Sequence, residues 1–151
     1  FNFRATDLQA SIGAIQLKKL PAMNDHRREL AKWILEGLKP LEKFVQLPVE
    51  QKGGFHTWFG FPFLVKPESG VKRADLMAFL ESKGIETRPI VGGNLTLQPV
   101  FTQFEWGRSG DYKNANLIHE NGIYFGTHPG MNKGHCDHVI KAFQEFFKDL
   151  V

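Results

Sequence analysis

Between Lys52-Gly53-Gly54 and Lys66-Pro-Glu-Ser-Gly70 the hydrophobic pattern switches from helical to extended, in the run Trp58-Phe-Gly-Phe-Pro-Phe-Leu-Val65. A run so dense in aromatic and β-preferring side chains specifies a strand, and Pro62, which has no N–H to give a ladder, places itself at an edge or a bulge. A strand needs partners. Ile85 to Val91, interrupted by Pro89, and Gly122-Ile-Tyr-Phe-Gly126 are the other strand candidates, after a short extended segment from Phe44 to Gln51. Around them the spacing is helical. Residues 6–20 carry Leu8, Ile12 and Ile15 at helical intervals behind Thr6 or Asp7 as N-cap. Pro21 ends that helix or starts the next, which runs over 22–38 through Leu30, Trp33, Ile34 and Leu38 and stops at Pro40. Residues 71–83 turn Leu76, Phe79 and Leu80 inward, with Gly84 as the C-terminal stop. Residues 111–121 form a short helix, and 131–149 a final one with Val139, Ile140, Phe143, Phe146, Phe147 and Leu150 as its buried stripe. Residues 100–110 stay loop-like. The order ααβαβαβα, with few and short strands, predicts an α/β (α+β) domain whose helices pack on a small sheet, preceded by two helices.

Composition sets the compartment and excludes several partners. A chain of 151 residues buries roughly 68–70% of its unfolded surface, so a core forms without staples. Fourteen Phe against two Tyr make the aromatic set strongly apolar and mostly interior. The single cysteine, Cys136, excludes an internal disulfide framework and a multi-thiolate zinc site, and points to a reducing compartment. No window approaches the ~18 apolar residues of a membrane span, and no charged start precedes an apolar run, so a soluble cytoplasmic protein with no membrane partner is expected. The net charge is +3, with basic residues spread among acidic ones. Only His26-Arg27-Arg28 and Lys72-Arg73 cluster, and these read as solvated helix faces, not as a nucleic-acid footprint. Helix 6–20 has a second small and apolar face in Ala10, Gly13, Ala14 and Leu17, which implies close contact on both sides, inside a larger protein or against another subunit. The start at Phe1, already entering a helix, reads as a piece of something longer.

Local chemistry alone names no activity. No GxGxxG, Walker, GxSxG, HExxH or paired CxxC motif occurs. His135 and His138 can share one helix face, but two ligands do not make a metal site, so no metal is expected. Gly92-Gly93-Asn94 either exposes backbone N–H groups to a ligand or forms a tight turn. His128-Pro129-Gly130 either sets an imidazole beside a ligand or starts the last helix. Asn2 and Arg4 put an amide and a guanidinium on one side of an extended segment near a helix N-terminus, which suits a phosphate; an Arg4 pair with Asp7 is the equal alternative.

The segment from Asn2-Phe-Arg-Ala-Thr-Asp to Gln16-Leu-Lys-Lys-Leu20 resembles the corresponding stretch of the DegT/DnrJ/EryC1/StrS sugar aminotransferases. The resemblance continues in Trp58-Phe-Gly-Phe-Pro62, Ser69-Gly-Val71, Thr87-Arg88, Gly93-Asn-Leu-Thr96, Gln98-Pro99 and His128-Pro-Gly130, in order along nearly the whole chain. The set is most similar to the subgroup containing CDP-4-keto-6-deoxyglucose 3-dehydrase and GDP-4-keto-6-deoxymannose 3-dehydratase. The resemblance implies the C-terminal small domain of a pyridoxal-phosphate-dependent transferase of fold type I. It makes 1–40 the helical segment leading from a large domain and 41–151 the small domain. It implies pyridoxal 5'-phosphate as cofactor of the full-length enzyme, a homodimer, and a nucleotide-sugar substrate in polysaccharide biosynthesis. Asn2 and Arg4 match positions that reach the cofactor phosphate of the neighbouring subunit; Arg88, Asn94 and His128 match segments bordering the sugar-nucleotide pocket. No catalytic residue is assigned, because the Schiff-base lysine, or the histidine that replaces it in the dehydratases, belongs to the large domain. The alternative is a stand-alone, non-catalytic sugar-nucleotide-binding or dimerisation domain.

Overall fold

The computed structural model describes residues 4–150. Helix α1 (Asp7–Leu38) opens at Thr6, whose hydroxyl accepts from the Gln9 amide while the Gln9 side chain accepts from the Thr6 amide. This capping box satisfies two donors the first turn would otherwise leave orphaned. Contrary to the sequence reading, α1 is one helix that runs through Pro21. Proline there removes the bond to the Leu17 carbonyl. Residues 4–22 are all exposed, so water reaches that carbonyl and the break is avoided.

The four strands β1 (Val45–Gln46), β2 (Gly60–Val65), β3 (Thr87–Pro89) and β4 (Gly122–Gly126) form one antiparallel sheet in the order β1-β2-β4-β3. Prolines set its outline. The bonds Thr127 N–H to Phe59 O and Ile90 N–H to Gly122 O show that β4 bonds β2 through its odd residues and β3 through its even ones. Pro62 and Pro89 therefore both turn their missing N–H away from β4. The next bonded pair of β1 with β2 would be Pro48 with Pro62, neither of which has a donor, so β1 stops at Gln46. Pro62 thus lies within the sheet yet behaves as an edge residue.

One face of the sheet makes the core. Phe61, Phe63, Val65, Ile123 and Phe125 point at Leu30, Ile34 and Leu38 of α1, at Leu76 and Leu80 of α2 (Arg73–Ser82), and at Val139, Phe143 and Phe147 of α4 (Lys133–Phe147). The Phe61 and Phe125 rings stack at 5.2 Å, and Phe63 meets Phe143 edge-on at 5.3 Å. Phe44, Phe61, Phe63, Phe125, Phe143 and Phe147 are buried here, whereas Phe55, Phe59 and Phe104 are exposed. Leu150 does not join the stripe: the helix tightens after Phe147 into a 3₁₀ turn, which swings it into solvent. Helix α3 (Lys113–Asn121) passes into β4 with no loop. A Cβ at Gly122 would sit 2.5 Å from the Ile118 carbonyl oxygen, so only glycine permits that junction.

Candidate functional site

The opposite face of the sheet carries Pro62, Tyr124 and Arg88 side by side, because Pro62 and Arg88 both pair with Tyr124 across the strands. The Tyr124 ring lies over Gly60, where a Cβ would come within 2.7 Å of it. Where β4 ends, this row opens into a cavity of about 300 Å³ lined by Arg27, Phe59, Glu86, Arg88, Tyr124 and the segment Phe125–His128. Arg88 is paired with Glu86, but both side chains are well exposed, at 65% and 74%. Such a pair is worth about 0–1 kcal/mol, so an incoming anion competes for the guanidinium at little cost. His128 is exposed, and its Nδ1 accepts the Gly130 N–H at 3.0 Å. That bond assigns the neutral ring's proton to Nε2, which has no partner among the described residues and is ready to donate.

Two of the residues expected to border a ligand, Arg88 and His128, therefore meet in one cavity. Asn94 does not join them. It is 4% exposed, its Oδ1 accepts from the Thr96 amide and hydroxyl at 3.0 and 2.7 Å, and its amide nitrogen donates to Asn116 at 2.6 Å. Its side chain caps the 3₁₀ turn Leu95–Leu97 and ties that loop to α3. Arg4 stands exposed just before α1, and Asn2 lies outside the described residues. His135 closes a capping box with Asn132, His138 bonds the Lys83 carbonyl, and burial pushes the Cys136 thiol up. Among the described residues no three His, Cys, Asp or Glu converge as a metal site would require.

Sequence reasoning missed Arg27, Phe59 and Tyr124. His26-Arg27-Arg28, read as a solvated helix face, is instead the turn of α1 that ties down both cavity loops. His26 Nε2 bonds the Met131 carbonyl at 2.8 Å and Arg27 Nε donates to the Thr127 carbonyl at 3.1 Å. Arg28 grips both oxygens of Glu50 at 2.6 and 2.9 Å and the His56 carbonyl at 2.8 Å. The Arg28 guanidinium, together with the His56 amide, holds the Glu50 carboxyl down to about 2. One signal was available: the cluster directly precedes Leu30, the first fully buried residue of α1, so its long side chains must run along the core's edge.

An antiparallel sheet with β2 and β4 between β1 and β3 is an arrangement found in a solved sugar-nucleotide enzyme. A solved structure titled E. coli GDP-4-keto-6-deoxy-D-mannose-3-dehydratase with bound hydrated PLP superimposes with a TM-score of 0.86 at 34% identity, covering 94% of this chain and 36% of that one. Residues 1–144 match the DegT/DnrJ/EryC1/StrS aminotransferase family, and the chain belongs to it. The lipopolysaccharide biosynthesis protein RfbH of Salmonella typhimurium is 33% identical over 147 residues, which are 97% of this chain and 34% of RfbH. The GDP-4-keto-6-deoxy-D-mannose 3-dehydratase of Escherichia coli O55:H7 is 39% identical over 129 residues, 85% of this chain and 32% of that protein. The chain thus spans about a third of the length of the relatives it matches.

Proposed function

We propose that this chain forms the C-terminal part of a pyridoxal-phosphate-dependent enzyme that acts on a 4-keto-6-deoxy nucleotide sugar in polysaccharide biosynthesis, as a 3-dehydratase or an aminotransferase. The observation that carries the reading is the cavity that joins Arg27, Arg88 and His128 to Phe59 and Tyr124, in a chain 39% identical to a nucleotide-sugar 3-dehydratase. Guanidinium groups match diphosphate oxygens, and the His128 Nε2–H suits a phosphate or a sugar hydroxyl. Arg88 and His128 are the substrate-binding residues in this reading. Asn94, expected at the substrate as well, has its side-chain amide engaged in holding the neighbouring loop in shape.

The cavity fits anions and does not fit the pyridine aldehyde. No lysine is among its lining residues, so none of them can form an imine. Pyridoxal phosphate supplies an electron sink when bound. This chain's residues bind and orient the phosphorylated part of the substrate, and Arg4, with Asn2, is assigned to the cofactor phosphate across a homodimer. The exposed apolar residues of α1 support that dimer: Leu8, Ile12, Ile15 and Leu17 are 52–73% exposed. No helix among the described residues is long and apolar enough to cross a membrane. A cytoplasmic setting belongs to the same reading, in keeping with the single unpaired cysteine.

Calorimetric titration with GDP tests the reading. Binding is expected, and Arg88→Met should weaken it about tenfold, the loss of one charge-assisted bond of roughly 1.4 kcal/mol. Equal affinity in wild type and Arg88→Met, or no binding at all, would sink it.

A further inference from the structure

The alternation of β2 is broken at its entrance. Phe61, Phe63 and Val65 face the core, so regular pleating would send Phe59 inward and Trp58 outward. The reverse is found: Trp58 is 5% exposed and Phe59 73%. The inversion is made by Trp58 itself, whose backbone is left-handed at φ 51°, a conformation unfavourable for a non-glycine residue. Something must hold it. The Trp58 ring packs on Phe61 at 5.9 Å, its carbonyl accepts from the buried Thr127 hydroxyl, and its amide donates to His56 Nδ1 at 2.9 Å. His56 is in turn fixed at both ends of its peptide groups. Its N–H donates to Glu50 at 2.6 Å and its carbonyl accepts from Arg28 at 2.8 Å. Arg28 also lies over the Phe55 ring at 4.3 Å. Glu50 thus anchors the 50–58 loop on α1, and the loop delivers Phe59 to the cavity wall beside Arg27, whose guanidinium is 6.0 Å from the Phe59 ring.

We infer that Glu50, through Arg28 and the His56 backbone, is a positioning residue that fixes Phe59 as the aromatic wall of the anion cavity. Glu50 does not line that cavity and acts only by way of the loop. The inference rests on the reading of the cavity as a nucleotide-sugar site. It is tested with Glu50→Gln, Phe59→Ala and the double variant, each titrated with GDP, alongside amide hydrogen exchange over 51–59 without nucleotide. Glu50→Gln is expected to weaken GDP about fivefold and to speed exchange over 51–59 while α4 keeps its protection. The double variant is expected to bind as Phe59→Ala alone does, since Glu50 has nothing left to position. Multiplying losses in the double variant, or unchanged exchange over 51–59 in Glu50→Gln, would overturn the inference. If wild type binds no GDP, the functional reading falls, and the exchange over 51–59 still decides whether Glu50 holds the loop.

Discussion

The two halves of α1 share a helical apolar spacing and have different fates. Over 23–38 the helix buries Leu30, Ala31, Ile34 and Leu38 to 1% exposure or less, whereas over 7–22 Leu8, Ile12, Ile15 and Leu17 are each more than half exposed. Both halves carry apolar residues at helical spacing, and the outer half is capped as well as any helix in the molecule. What differs is tertiary partnership: α4 covers the inner half, and nothing among the described residues covers the outer one. Helical pattern therefore reports that a face will be buried, not by what. The dividing point is the His26–Arg28 turn, where α1 stops being free and starts to hold the cavity loops.

The largest test of that contrast is a pair of truncations. Leu30→Ala should destabilise the chain by about 2–5 kcal/mol, while Ile12→Ala should stay within about 0.5 kcal/mol. Denaturant unfolding of the two variants measures both, and a comparable loss at Ile12 would show that the outer half is packed in solution. A smaller effect is set by pH at the boundary. The Glu50 carboxyl is held at about 2, below its ordinary 4.5, so its contribution is complete above 4.5 and is lost as pH falls from there towards 2. Acid should therefore release the 50–58 loop from Arg28 and leave the arm unchanged; in Glu50→Gln the loop amides should show no such acid step.

Much of this was legible in the sequence, and the failures are instructive. The strand over 60–65, the α2 and α3 helices and the stripe of α4 up to Phe147 followed from local periodicity, which burial on one face enforces; Trp58 and Leu150 fell outside the elements expected to hold them. Pro21 misled because the cost of an internal proline depends on whether water can reach the freed carbonyl, a tertiary property. Arg88 and His128 came from motif resemblance, and cross-strand register then put Arg88 beside Tyr124. Arg27 and Phe59 were out of reach for a different reason. Arg27 joins a loop one hundred residues away, and Phe59 is exposed only because Trp58 inverts the pleat.

The most direct measurement is amide hydrogen exchange along the whole chain with and without GDP. The account predicts added protection over 84–88 and 125–130, around Arg88 and His128, with no change on adding GDP over the 7–22 arm. Protection gained on the arm or over 91–104, with none at 125–130, would contradict it and place the ligand elsewhere.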